Sequence, residues 1–344
     1  MRRLLCVFIA ITAGLVAQLV NAKAYKGAEI YSSDSYLYGR FEMRMRVANA
    51  SGVLSTFFTY KNGSEVANTF WEEIDIEVFG KNNATQWQSN IILGSSRPTI
   101  QTEQVHTASA SLADAYHTYV LEWTPDYVAW FLDGVEVRRI TGTSTVTSLT
   151  NAQSVRFNLW SSESVPWAGT WDEKVLPVYQ FISYIEYKTY NTTSKTFEAG
   201  WRDDFNSFDS SRWGKANWSY DMNRVDFAPE NVLIKDGILV LALTTENATG
   251  FSGTPPADEP ASSSSASSVA VASAAASSSA ASSIAVSAAA SSIATATSSV
   301  ATSKASGGGS GGGGALTYGW LIILAGFAFM RALTNSSRQQ QSSQ

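Results

Sequence analysis

Three carboxylates stand two residues apart in the run Trp71-Glu72-Glu73-Ile74-Asp75-Ile76-Glu77-Val78-Phe79-Gly80. The run reads as a β-strand. Ile74, Ile76 and Val78 share one face, and Glu73, Asp75 and Glu77 share the other, because strand side chains alternate. Neighbouring acids on that face are about 6.5 Å apart at the backbone. Three like charges so close repel one another, so at least one is expected to hold its proton more tightly than usual. Two carboxyl groups with separated pKa values can divide acid and base work on a glycosidic bond. The competing reading is an amphipathic strand with a solvated acidic face.

The surrounding chain reads as short strands punctuated by turns. Gly39 to Val47 alternates apolar and charged, which puts Phe41, Met43, Met45 and Val47 toward a core. Val53 to Tyr60 is a more continuous apolar run, as in a strand covered on both faces. Asn62-Gly63 is a turn signal. Further strands are expected at Gln86–Ile92, His117–Trp123, Val128–Leu132, Val135–Ile140, Val155–Trp160, Gln180–Tyr187 and Leu233–Leu243. Asp133-Gly134 and Asp236-Gly237 supply hairpin turns. No long segment carries a helical period, so the pattern is that of an all-β sandwich.

Composition narrows the chemistry. The 344 residues carry a net charge of −5 with no basic run in mid-chain, which argues against nucleic acid as a partner. His106 and His117 are the only histidines and Cys6 the only cysteine, so a histidine metal site or a Ser-His-Asp triad has little to build on. The 11 Trp, 14 Tyr and 16 Phe suit either a sandwich core or contact with sugar rings.

The two ends read as targeting and tethering segments. Arg2 and Arg3, an apolar run to about Leu19, and Val20-Asn21-Ala22 form a signal-peptide pattern over residues 1–22. Residues 23–255 then make the folded domain. Residues 256–314 are a Ser/Ala/Gly-rich linker with nothing to bury. Residues 315–333 are apolar and stop at the Arg331 region, as a membrane-spanning helix or as a lipid-anchor signal. A polar tail, 334–344, follows. Arg331 and Arg338 place that tail in the cytoplasm and the sandwich outside. Asn-x-Ser/Thr sequons fall at Asn49, Asn62, Asn83, Asn191, Asn217, Asn247 and Asn335.

Glu73-Ile74-Asp75-Ile76-Glu77, with Trp71 before it and Gly80 after, resembles the catalytic strand of glycoside hydrolase family 16. Several neighbours extend the resemblance: Tyr38-Gly39-Arg40-Phe41-Glu42-Met43-Arg44-Met45, Gly52 to Tyr60, His117-Thr118-Tyr119 with Glu122-Trp123, Trp130 with Asp133-Gly134, and Asn158-Leu159-Trp160. One block is displaced. Phe205 to Trp213, Asn223-Arg224-Val225-Asp226 and Asp236 to Leu241 resemble the opening segment of bacterial 1,3-1,4-β-glucanases, yet here they follow everything else. The order resembles a circularly permuted member, a change that domains tolerate because their ends lie close together.

The resemblance implies a jelly-roll (concanavalin A-like) sandwich of two antiparallel sheets with a sugar-binding face. It implies Glu73 as nucleophile, Glu77 as general acid/base and Asp75 as their support. Positions resembling cleft-lining ones are Tyr60, Asn62, Trp71, Gln88, Asn90, Glu103, Arg156, Asn158, Trp160, Trp167, Trp218, Asn223 and Asp226. Asn62 is also a sequon, so a glycan and a sugar substrate would compete there. Trp123 and Trp130 are expected in the core. Catalysis needs no cofactor on this reading, and a structural Ca²⁺ held largely by backbone carbonyls is implied. The expected activity is endo-acting, retaining hydrolysis of mixed-linkage β-1,3-1,4-glucan by a monomer at the cell surface. Wall transglycosylation and non-catalytic glucan binding are the alternatives. A retaining pair needs its carboxyls about 5–5.5 Å apart. Strand positions i and i+4 are about 13 Å apart, so long glutamate side chains on a curved strand are required.

Overall fold

The computed structural model describes residues 22–95 and 99–258. Residues 1–21 of the expected signal peptide, all but the first residues of the linker, the apolar segment 315–333, the polar tail and the Asn335 sequon lie outside the described residues.

Among the described residues, seventeen strands run in chain order. They are β1 (Tyr25–Tyr36), β2 (Gly39–Arg46), β3 (Val53–Tyr60), β4 (Phe70–Phe79), β5 (Gln86–Ser95) and β6 (Ile100–Gln101). Then come β7 (Gln104–Thr107), β8 (His117–Trp123), β9 (Tyr127–Leu132), β10 (Val135–Thr141), β11 (Gln153–Ser161) and β12 (Val178–Asn191). The last are β13 (Thr196–Asp203), β14 (Trp213–Lys215), β15 (Val225–Phe227), β16 (Val232–Lys235) and β17 (Ile238–Thr245). The expected strands are present, and the helices among the described residues are single turns such as Val165–Ala168.

Pairing sorts the strands into two antiparallel sheets. The first runs β14-β1-β11-β3-β4-β5, with β6 and β7 on the outer edge of β5. The second runs β10-β9-β8-β2-β12, then β13 and β17 share the far edge of β12, and β16 closes on β17. β1 ties the two together. Its first residues pair with β17 and, in parallel, with β15, whereas its later residues lie in the first sheet.

The core lies between the sheets. Phe41, Met43 and Met45 of β2 are fully buried, and Ile74, Ile76 and Val78 of β4 meet them from the first sheet's side of the same cluster. Phe41 touches Phe57 at 6.1 Å between ring centres, and Phe57 touches Phe157 at 5.2 Å. Each such ring, once buried, contributes about 1.5–3 kcal/mol. That is how a chain with one cysteine, outside the described domain, gains stability without disulfides. Trp123 and Trp130 are fully buried, as expected.

Turn chemistry fixes the register. Asp133 and Gly134 both have positive φ (49° and 80°), as do Asp236 and Gly237 (52° and 74°), which is the two-residue turn whose twist matches a hairpin. Gly39 stands at φ 139°, where a Cβ would run into the Tyr187 ring and the Lys188 carbonyl. Only glycine fits there.

The domain does not stop at the expected residue 255. The Tyr116 hydroxyl donates to the Pro256 carbonyl at 2.9 Å, and Arg44 Nε donates to both oxygens of Asp258 at 2.8 and 3.0 Å. Phe251 packs on Tyr179 and Phe181. The start of the expected linker is thus strapped to the second sheet.

Candidate active site

Register alone assembles the site. Residues directly opposite one another on paired strands share a face. Opposite Glu73 stand Tyr60 and Ile92, and beyond Tyr60 stands Ser154. Opposite Asp75 stand Phe58 and Asn90, with Arg156 and then Tyr31 beyond Phe58. Opposite Glu77 stand Thr56 and Gln88, with Asn158 and then Glu29 beyond Thr56. Three parallel rows of polar and aromatic side chains therefore cross the outer face of the first sheet. Phe58, Tyr60 and Trp71 form an apolar cluster of their own there, apart from the main core.

The carboxylates are held differently. Trp71 Nε1 donates to Glu73 Oε2 at 2.8 Å. Gln88 Nε2 donates to Glu77 Oε2 at 3.0 Å, while Gln88 Oε1 accepts from Trp167 Nε1 at 3.2 Å. The backbone carbonyl of Asp75 accepts from Trp130 Nε1 at 3.0 Å, a bond that comes from the opposite sheet through the core. Glu73 and Asp75 are buried, and Glu77 is the more open of the three.

The other expected residues divide into groups. Arg156 is a hub. Its guanidinium donates to Glu29 Oε1 at 2.8 Å, to Ser154 Oγ at 3.0 Å and to Asn62 Oδ1 at 2.8 Å. It also lies over the rings of Tyr60, Tyr31 and Trp218. Asn158 Nδ2 donates to Glu29 Oε2 at 3.3 Å, and its buried carbonyl has no hydrogen-bond partner among the described residues. That acceptor suits a sugar hydroxyl. Trp160 packs against Trp167 and Tyr220 at 5.8 and 5.5 Å, which walls the Glu77 end of the face. Asn90 accepts from the Thr102 backbone at 2.9 Å.

Asn62 is exposed, and its bonds to Arg156 and Ser154 run through Oδ1 rather than through Nδ2, the atom a glycan would occupy. Three residues lie less directly on the face. Glu103 is exposed beyond β6, close enough to Arg138 to support its charge. Asn223 is fully buried and spends Oδ1 on the Val225 backbone. Asp226 Oδ2 accepts from the Lys23 backbone at 2.9 Å and from Lys26 Nζ at 3.1 Å.

Sequence reasoning missed Glu29, Thr56, Phe58, Tyr31 and Tyr220. Glu29 was findable, because Ala28 and Ile30 flank it with core-facing side chains and leave it on the opposite face. It also missed Glu72, which is fully buried beside the nucleophile candidate. Its carboxylate accepts from the backbone of Thr150 at 2.9 Å, from that of Asn151 at 3.1 Å, and from the Asn151 side chain. That fastens the loop before β11 to the strand bearing Glu73.

Among the described residues no three acidic, histidine or cysteine side chains gather as a cation site. A calcium held by carbonyls would leave no such signature.

The chain is similar to several known proteins. The family model described as glycosyl hydrolases family 16 matches residues 11–175. A β-glucanase of Fibrobacter succinogenes is 46% identical over 261 residues, covering 74% of this chain and 74% of its own. A Bacillus subtilis β-glucanase is 32% identical over 157 residues, 45% of this chain, and the match spans only 60% of that protein. Among solved structures, a Bacillus licheniformis β-glucanase aligns with a TM-score of 0.40 and 29% identity, covering 46% of this chain and 70% of that one.

Proposed function

The chain belongs to glycosyl hydrolases family 16, and from that premise we propose that it is an endo-acting, retaining β-glucanase that cleaves mixed-linkage β-1,3-1,4-glucan. The observation that carries this reading is the row Glu73, Asp75, Glu77 on one strand face, with a tryptophan donor on the first acid and a glutamine donor on the last.

In the first half-reaction the Glu73 carboxylate attacks the anomeric carbon. The glycosidic C–O bond breaks, and the proton of Glu77 passes to the leaving oxygen. In the second half, Glu77 takes a proton from water. The water oxygen bonds to the anomeric carbon and displaces Glu73, and the second product leaves with β configuration. Trp71 keeps Glu73 from turning away between the two displacements, and Gln88 does the same for Glu77. Arg156, Glu29 and Asn158 present a charged donor, a charged acceptor and a neutral amide to sugar hydroxyls. Tyr31, Tyr60, Trp160, Trp167 and Trp218 offer flat surfaces for sugar rings.

The product profile on lichenan against laminarin tests the linkage. A labelled oligosaccharide acceptor tests the reaction type: label taken into polymer without net shortening would replace hydrolysis by transglycosylation. If Glu73→Ala digested lichenan as well as the unaltered chain, the catalytic assignment would fail.

The setting of the enzyme is proposed from sequence. Residues 1–22 export the chain, residues 256–314 space the domain from the surface, and residues 315–333 hold it at a membrane, as a monomer with glycans on exposed sequons. The adjacency of the domain ends supports the permuted order: Tyr25 pairs with Thr245, and the Glu246 N–H donates to the Ala24 carbonyl at 3.0 Å.

A further inference from the structure

Lys23 is fastened to the fold by both of its nitrogens. Its side-chain Nζ donates to Ser219 Oγ at 2.7 Å, to the Tyr220 carbonyl at 2.9 Å and to the Asn223 carbonyl. Its backbone nitrogen donates to Asp226 Oδ2 at 2.9 Å. Ala22, one residue earlier, is exposed. The chain thus passes from an exposed residue to one held by four hydrogen bonds across the single peptide bond Ala22–Lys23. That bond is also where the sequence Val20-Asn21-Ala22 ends a signal-peptide pattern.

We infer that cleavage of the Ala22–Lys23 bond turns the Lys23 backbone nitrogen into a terminal ammonium that forms an ion pair with Asp226 and locks the Ser219–Asp226 segment onto β1. The inference rests on the export of the chain, not on its enzymatic activity. In the hydrolysis, water adds its hydroxyl to the Ala22 carbonyl carbon, the C–N bond breaks, and the amine leaves with the remaining proton and takes up a second at neutral pH. Before the cut, the Lys23 nitrogen offers Asp226 one neutral N–H. After it, the same atom in the same place is charged, and a charge-assisted bond is roughly twice as strong as a neutral one.

The charged groups around this point are mostly acidic. Asp226 of β15 faces it directly. Burial pushes the Lys23 side-chain ammonium below its ordinary range, and Asp226, Glu163 and Asp221 oppose that shift in part. Glu246, beyond β17, adjoins Ala24. The like charges nearby are the Nζ of Lys23 itself, held by Ser219, Tyr220 and Asn223, and that of Lys26 in β1, which shares Asp226 Oδ2. The segment held in this way carries Tyr220, which packs on Trp160, and it directly follows Trp218, which packs on Tyr31 and lies against the Arg156 guanidinium. The new terminus therefore braces one wall of the site.

The test uses the full-length precursor exported by a host with a signal peptidase and purified from its membranes in detergent, and a second precursor with Gly-Ser inserted between Ala22 and Lys23, each with and without Asp226→Asn. The N-terminal residue of each product is read by sequencing, and melting temperature is followed from pH 6 to 10. The product of the first precursor is expected to begin at Lys23. At pH 6.5 it melts roughly 2–4 °C above the extended one, the size of shift expected for one good interaction in a domain of this length. An α-amino group has an ordinary pKa of about 7.7–8.0. The gap should therefore be full at pH 6.5, close by pH 10, and be absent in the Asp226→Asn pair. A terminus elsewhere than Lys23, equal melting of the two products at pH 6.5, or a gap that survives Asp226→Asn would each overturn the inference.

Discussion

Trp71 and Glu73 lie two residues apart on one strand face, and the indole Nε1 reaches the carboxylate Oε2 at 2.8 Å. A strand repeats every two residues, so the donor is carried by the same rigid element as the acid it orients. Trp71→Phe keeps the ring's packing on Tyr60 and removes only the donor. A hydrogen bond to a charged group is worth about 1.5–3 kcal/mol, so kcat on lichenan should fall roughly 10- to 100-fold. KM should change little, and the thermal midpoint should stay near that of the unaltered protein. Equal losses in kcat and in stability would make Trp71 a packing residue instead.

The two terminal glutamates should be separable by rescue chemistry. Glu73→Ala and Glu77→Ala should each lower turnover by roughly a thousandfold or more. Azide added to Glu73→Ala can take the place of the missing nucleophile, which yields an α-glycosyl azide. Azide added to Glu77→Ala intercepts the glycosyl-enzyme and yields the β-anomer. The anomer identified by NMR of each product assigns the roles, and exchanged anomers would reverse them.

The sequence made the acidic strand legible because its signal is local. Alternation puts Ile74, Ile76 and Val78 into the core and the acids on the other face. Val53 to Tyr60 was legible for the same reason, and every residue of β3 is buried. Glu29 and Arg156 were harder, since their meeting depends on β1 pairing with β11 across 127 residues of sequence. Periodicity says which face a residue occupies, not which strand lies beside it. The placement of Asp226 depends likewise on β15 lying parallel to β1. Residues 256–258 read as linker because Pro-Pro and the polar run resemble one. Their attachment rests on Arg44 and Tyr116, which no local pattern links to them.

Glu72 predicts a stability effect next to the chemistry. Its buried carboxylate satisfies two backbone donors and one side-chain donor of Thr150 and Asn151. Glu72→Ala leaves those donors without an acceptor and opens a void. A loss of about 3 kcal/mol is expected, read from the urea midpoint. Glu72→Gln keeps one acceptor oxygen and should lose less than half of that. If alanine and glutamine were equally harmful, charge rather than acceptor geometry would be what the loop requires.

His106 sets a limit on acid stability. Its ring is buried against Trp87, with Nε2 at 2.8 Å from Ser89 Oγ, and Arg138 donates to the same hydroxyl. Burial, aided by the nearby Arg138 charge, pushes its pKa from 6.5 down to about 4. Between those values the unfolded chain binds a proton that the folded chain refuses. Stability therefore falls as pH drops from about 6.5 toward 4, and His106 adds no pH dependence above that window. His106→Gln retains a polar partner for Ser89 without a titrating ring. Its melting temperature should decline less steeply over the same interval, measured at matched ionic strength. Parallel declines in the two proteins would show that other groups, not His106, govern the acid limb.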